Sequence, residues 1–446
     1  MSTAPLGWLG IVRLGLVQTA LGAIVVLTTS TLNRVMVVEL ALPATLPGAL
    51  VALHYAVQML RPRMGYGSDV SGRATPWIIG GMATLCTGGL LAALATAWIA
   101  TNPWAGIGLL VAAFLLIGLG VGASGTSVLV LLAKRVTKER RAAAATIVWL
   151  MMIAGIAATA GVAGSLLDPY SPPRLVAVAG GVVAFAFVLT LLAVWGVERG
   201  SHAASSTQAG ARAPFLVALA EVWSEPQARR FTIFVFVSML AYSAQDLILE
   251  PFAGLVFAMT PGESTKLSGL QHGGVLIGMI AVALAGSFGR GRFGSLRAWM
   301  IGGCLASAVM LAGLAGAGFV GPAWPLRPTV FGLGVANGAF AVAAIGSMMG
   351  LAGTGREARE GVRMGLWGAA QAIAFGLGGF AGTLAADVAR HLMGSPDIAY
   401  GTVFAGQAVL FVISAGLAAG VGRDTSARQP SPSPTTGVSY AAGLRR

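Results

Sequence analysis

The residues able to do chemistry are few, and they sit inside apolar stretches. His54 and His272 lie 218 residues apart. An imidazole can offer one nitrogen to a metal while the other holds a hydrogen bond, or it can hydrogen-bond within a core. Tyr55 and Gln58 accompany the first histidine; Gln271, Gly273 and Gly274 accompany the second, where the glycines are expected to leave room for a flat ring. Gln245, Asp246 and Glu250 form the sharpest polar group of the later half. Asp246 and Glu250 are spaced i, i+4 and share one helix face. Two carboxyls on one face could relay protons or hold a cation. They could equally pair with Arg34 or Lys266 as a clasp. Asn33, Arg34 and Glu39 form a third group. A charge inside an apolar slab is costly, so Arg34 and Glu39 must be paired or near an interface. Gln18 and Gln371 are further candidates for cavity hydrogen bonds, with packing as the default. No nucleophile–base set, phosphate loop or metal cluster stands out, so the expectation is a non-enzymatic protein without a protein-held metal.

The elements that position these residues follow from composition. The chain has 446 residues, 56% hydrophobic and 10% charged; soluble domains run about 25% charged. So few charges cannot coat a soluble protein of this size. A soluble enzyme, a disordered chain and a nucleic-acid module are excluded. Lipid-spanning helices need about 20 apolar residues. Apolar runs at 10–36, 46–66, 75–99, 104–133, 142–166, 173–196, 231–256, 266–288, 296–319, 326–352, 362–386 and 398–421 predict twelve spans. They are continuous rather than alternating, which favours helices over a β-barrel. The expected organisation is a six-helix unit over 1–196, a linker over 197–229, a second six-helix unit over 230–422 and a disordered tail over 423–446. In the linker, Phe215, Leu216, Leu219, Val222 and Trp223 share one helical face and predict a surface helix. Cys86 and Cys304 read as small buried residues. No basic residue precedes the first apolar run, so a cleaved signal peptide is not expected.

Of the 28 Lys and Arg, 23 fall on one side of this topology. The positive-inside bias places both termini in the cytoplasm. The net charge of +13 is then a topology signal facing anionic lipid, and no nucleic-acid partner is expected.

The two units repeat. Gly118-Leu119-Gly120-Val121 returns as Gly332-Leu333-Gly334-Val335, and Trp77 to Gly81 returns as Trp299 to Gly303. Glu139, Arg141, Trp149 and Gly164 return 218 residues later as Glu357, Arg359, Trp367 and Gly382. A duplicated six-helix unit is the architecture of the major facilitator fold. The loop from Gly65 to Arg73, with Asp69 and Gly72, resembles that superfamily's G-x-x-x-D-x-x-G-R pattern. The resemblance implies a conformational latch at Gly65, Asp69, Gly72 and Arg73. The equivalent second loop has Gly291 where an acid would align, so that latch is degenerate.

A closer resemblance is carried by Thr31-Leu32-Asn33-Arg34-Val35-Met36-Val37-Val38-Glu39-Leu40, Pro43, Pro47 and Arg61-Pro62-Arg63. This pattern is similar to the PucC/LhaA family of purple phototrophic bacteria, over residues 8–421. The short N-terminus resembles the paralogue linked to late bacteriochlorophyll synthesis. The resemblance implies an assembly factor of the bacterial inner (intracytoplasmic) membrane. It would bind bacteriochlorophyll or a late precursor, with carotenoid as a second pigment candidate. It would deliver the pigment to light-harvesting antenna polypeptides. Bacteriochlorophyll synthase, the membrane insertion machinery and lipid would be its partners. Under that resemblance, His54 or His272 would ligate a chlorin magnesium, with Tyr55, Gln58 and Gln271 around them. A proton-coupled solute transporter using Asp246 and Glu250, and a ligand-free scaffold for synthase and insertase, remain as alternatives.

Overall fold

The computed structural model describes residues 6–61, 64, 73–137, 140–198, 215–288, 295–352 and 360–421. Among the described residues the regular structure is helical throughout. Eleven helices are long and apolar enough to cross a membrane, and Thr45–Leu60 is a further apolar helix of shorter length. The expected twelve-helix arrangement is thus present, with one short member.

The first half contains α1 (Trp8–Glu39), α2 (Thr45–Val57, continued by a 3-10 turn Gln58–Leu60), α3 (Thr75–Ile99), α4 (Pro103–Arg135), α5 (Arg141–Leu166) and α6 (Pro172–Val194). A short helix, α7 (Phe215–Ser224), leads to the second half. That half contains α8 (Pro226–Phe257), α9 (Pro261–Phe288), α10 (Leu296–Val320), α11 (Leu326–Ala352), α12 (Glu360–Met393) and α13 (Pro396–Gly420). Five of these helices open on proline. At a first helical position the missing N–H costs nothing and the fixed φ is already helical.

The same packing scheme is built twice. In the first half α1 packs on α5 and α6, α3 on α4 and α6, and α2 on α4. In the second half α8 packs on α12 and α13, α10 on α11 and α13, and α9 on α11. The halves meet where α9 packs on α5 and α2 packs on α12. Each half has its own apolar core. A third cluster joins them, with Ile153, Ile156 and Ala160 of α5 against Val275 and Met279 of α9.

Glycine sets the closest approaches. On α9, Gly274 and Gly278 face Gly334 and Gly338 of α11, a small-xxx-small pair on both helices. A Cβ on Gly274 would lie 2.5 Å from the Phe331 carbonyl oxygen. Without a hydrophobic force between helices in lipid, such backbone contact is a main source of adhesion.

Within the linker, α7 is helical, Val222 is buried and Trp223 is exposed. Glu225, just before α8, forms a two-point ion pair with buried Arg363 of α12, at 2.8 and 3.1 Å. Of the expected latch, Arg73 is exposed just before α3. Gly65, Asp69 and Gly72 lie outside the described residues, as do 199–214 of the linker and the tail from 422 onward. Cys86 and Cys304 are both buried and free.

Helix alternation puts the α1–α2, α3–α4, α5–α6, α8–α9, α10–α11 and α12–α13 connections at one end of the bundle. That end is called distal below; residues 6 and 421 lie at the proximal end.

Candidate functional site

The two histidines occupy equivalent helices, α2 and α9, but their nitrogens are spoken for differently. His54 is 3% exposed, and its Nε2 lies 2.7 Å from the Gln58 side-chain nitrogen. Arg61 donates to the Gln58 oxygen, which turns the Gln58 amide nitrogen towards the imidazole. An amide nitrogen can only donate, so Nε2 of His54 is the acceptor. The proton is then on Nδ1, which is buried without a partner. The lone pair that would reach a metal is occupied. His272 is half-buried, and its Nδ1 lies 2.9 Å from the Ser268 carbonyl oxygen. A carbonyl only accepts, so Nδ1 carries the proton and Nε2 keeps a free lone pair. A backbone-anchored Nδ1–H with an open Nε2 is the arrangement that orients metal-binding imidazoles.

The glycines beside His272 do not widen the interior. Gly273 lies on the stripe of exposed Leu270, Ile277, Ile280 and Leu284, which faces outward. Gly274 is closed by α11.

Around these helices runs a line of rings. His54 and Tyr55 stand 4.9 Å apart, and Tyr55 reaches Phe375 of α12 at 5.5 Å across the junction of the halves. Phe375 meets Tyr242 of α8 at 5.8 Å, and Tyr242 meets Phe340 of α11 at 6.3 Å. Tyr55 and Tyr242 both lie within electrostatic range of Asp246. Asp246 is half-buried and accepts from Gln271 at 3.4 Å. The structure therefore brings Tyr55, Asp246 and Gln271 into one neighbourhood. Tyr242, Phe340 and Phe375 belong to it as well, and only their placement in the fold reveals them.

One turn along α8, Glu250 is 2% exposed and accepts from the Ser30 hydroxyl of α1. The Ser264 and Ser268 side chains of α9 lie beside the same carboxyl. Gln245, fully buried, has neither amide atom satisfied. Buried polar atoms are seldom left so, and the two amide atoms of Gln245 mark a point on α8 built to meet another group.

The third group is a seam between the halves. Thr31 and Thr265 hydroxyls lie 3.2 Å apart, and Asn33 donates to the Leu247 carbonyl oxygen at 2.6 Å. Arg34 donates to the Met259 carbonyl oxygen at 2.5 Å and forms an ion pair with Glu39. The expected partnership of Arg34 with the α8 acids is replaced by this local one. The cause is local winding. Leu27–Thr31 and Val35–Glu39 are π turns, closed by bonds such as Leu40 N–H to Val35 O. An i→i+5 turn stacks residues five apart, so Arg34 and Glu39 share a face. Above them, burial and the Glu39 charge push the Tyr170 hydroxyl above its ordinary pKa, against an opposing effect of Arg34.

Comparison with known proteins follows this geometry. The model of the family described as PUCC protein matches residues 31–425. A Rhodobacter capsulatus protein named "Bacteriochlorophyll synthase 44.5 kDa chain" is 57% identical over 417 residues, which is 93% of this chain and 96% of the relative. A "Protein PucC" of Cereibacter sphaeroides is 30% identical, covering 82% of this chain and 81% of the relative. Among solved structures, a peptide transporter POT superposes with a TM-score of 0.69 at 15% identity, covering 94% of this chain and 97% of that one. A nucleoside transporter NupG gives 0.67 at 13% identity, covering 93% and 99%. At such identity the likeness shows the fold alone, which is the major facilitator fold of an integral membrane protein. With that fold, and with a family match across nearly the whole membrane region, the chain belongs to the PucC family.

Proposed function

We propose that this protein binds bacteriochlorophyll or a late precursor within the membrane and delivers it to antenna polypeptides without catalysing a reaction. The observation that carries the reading is the open Nε2 of His272, anchored through Nδ1 and placed one residue from the Gln271–Asp246 contact. His272 would hold a chlorin magnesium through this nitrogen. The half-buried rings of Tyr55, Tyr242 and Phe375 supply flat apolar surface nearby, with buried Phe340 packed behind Tyr242. The names of the relatives support the pigment class. Carotenoid is the second pigment the rings would accept. Bacteriochlorophyll synthase, the insertion machinery and lipid are the partners of this reading. The bacterial inner membrane is its site, with both termini cytoplasmic and Asp69 latching the two halves.

The absorption spectrum of protein purified in mild detergent tests it. A near-infrared band in stoichiometric amount is expected. His272→Phe should lower the band by at least about tenfold, since even outer-shell partners of metal ligands cost about 10–100-fold when removed. His54→Phe should leave it within about twofold. A colourless wild-type protein, or a band indifferent to His272→Phe, sinks the proposal.

A second reading has its own observation. Asp246 and Glu250 share a face of α8, and Glu250 keeps its carboxyl in the interior at 2% exposure. Proton-coupled movement of a small solute would use that pair. A colourless protein with pH-dependent uptake in vesicles, abolished by Glu250→Gln, would select this reading. A colourless and inactive protein that co-purifies with the synthase would select a scaffold.

A further inference from the structure

We propose that Asp168 and Asp387 are a matched pair of clasps, each capping a helix of the opposite half, that hold the distal end of the protein shut. The inference does not depend on which cargo the protein carries.

The first clasp closes on α2. The residue at the cap of this helix is Ala44, which has no side-chain oxygen to offer. Asp387 of α12 supplies the missing acceptor from the other half. Its Oδ1 accepts from Ala44 N–H at 3.0 Å and its Oδ2 from Thr45 N–H at 2.7 Å. Arg390, one turn on, lies 3.9 Å from the same carboxylate.

The second clasp closes on α9. Here Thr260 and Glu263 form a reciprocal capping box, with Thr260 N–H to Glu263 at 3.0 Å and Glu263 N–H to the Thr260 hydroxyl at 3.2 Å. Asp168, just past α5 in the other half, adds a carboxylate to it. Its Oδ2 accepts from the Thr260 hydroxyl at 3.0 Å and its Oδ1 from Gly262 N–H at 3.2 Å.

The two joints are one joint made twice. Asp168 and Asp387 are 219 residues apart, and Thr45 and Glu263 are 218 apart, the interval at which the halves repeat. Asp387 lies in α12, on which α2 packs, and Asp168 just beyond α5, on which α9 packs. The packing below each joint repeats as well. Gly48 of α2 admits Thr383 of α12, and Gly164 of α5 admits Lys266 of α9. The first N–H groups of a helix have no partner of their own and carry partial positive charge. A carboxylate delivered from the other half therefore satisfies them only while the halves touch. Opening the distal end parts α2 from α12 and α9 from α5, and both caps are lost together. The bonds weigh on the closed state and on nothing else.

The test uses the full-length chain in sealed vesicles, with Cys86 and Cys304 replaced by Ala. Ser268→Cys, buried beneath the clasps, reports entry of a membrane-impermeant maleimide from the distal side. Labelling should be slow in the parent. Asp168→Ala and Asp387→Ala should each speed it about fivefold, and the two together about thirty-fold, as expected for two lost caps. Asp168→Asn should stay within about twofold, because the amide oxygen can still accept from Gly262 N–H while the Thr260 hydroxyl turns to accept from the amide nitrogen; Asp387→Asn, which keeps one acceptor for two backbone N–H groups, should fall between the parent and Asp387→Ala. An unchanged rate in the double alanine variant overturns the proposal, as does a single variant that gives the whole effect. Should the double variant not accumulate, spin labels at Thr101 and Ala323 read the same opening in the singles. Those positions lie on distal connections of opposite halves. A new, longer distance is expected in both singles, and an unaltered distribution in both overturns the clasp.

Discussion

Gly334→Val is expected to destabilise the folded protein by about 3 kcal/mol or more, the upper range for overpacking a close contact. A Cβ at Gly334 would fall deep inside contact distance of the Gln271 carbonyl oxygen, and one at Gly338 deep inside that of the Val275 carbonyl. These neighbours are backbone, so no flexible side chain can swing away. Instead, α9 and α11 must move apart along the run where they pack most closely, which also separates Gly274 and Gly278 from their partners. The movement would carry Gln271 and His272 with it, so any pigment band should fall as well. Gly273→Val is the control, because a Cβ there meets nothing within 4 Å. That change should be nearly neutral, and Gly273→Ala should stabilise by about 0.5–1 kcal/mol through restored helix propensity. Thermal unfolding in detergent, with size-exclusion profiles, separates the two outcomes. Equal behaviour of Gly334→Val and Gly273→Val would remove the tight α9–α11 contact from the account.

The spans were legible because each is an apolar run closed by proline or by charge. The Gly-Leu-Gly-Val string was legible as a repeat because it occurs in both halves, and the fold shows it as close helix packing. The arrangement of polar groups was legible only in part, for local reasons. Arg34 and Glu39 are five apart, which in a plain α-helix turns them away from each other; two π turns bring them together, and no residue in Leu27–Glu39 announces such winding. The difference between His54 and His272 comes from Gln58 and Arg61, at i+4 and i+7 from His54, a face that helical spacing does contain. Asp168 and Asp387 belong to no local motif. The interval between them carries the signal, since it matches the repeat of the halves. Gly273 looked like room beside His272, but its exposure is set by which face of α9 meets the surroundings, and the stripe from Leu270 to Leu284 decides that.

Arg34→Met is expected to cost about 3 kcal/mol, the lower end for removing one partner of a buried ion pair. The guanidinium is 2% exposed, whereas the Glu39 side chain is 33% exposed and can be partly rehydrated. Arg34 serves two acceptors at once, Glu39 in its own helix and the Met259 carbonyl in the other half. Gly254 of α8 makes room for it, since a Cβ there would stand 3.1 Å from the guanidinium. Arg34→Lys should recover little, because an ammonium lacks the planar fork that reaches both acceptors. Arg34→Met with Glu39→Met should recover most of the loss, because a well-packed apolar pair often replaces a buried ion pair at little cost. Unfolding free energies for the four members of this cycle give the coupling directly. A coupling near zero would mean that Glu39 is not the partner and that the π turn does not set the register. The Met259 bond adds a second readout. It lies at the distal end, beside the Thr31–Thr265 and Asn33–Leu247 contacts. Arg34→Met should therefore also quicken distal labelling of Ser268→Cys. Glu39→Met alone, which leaves the Met259 bond in place, should quicken it less.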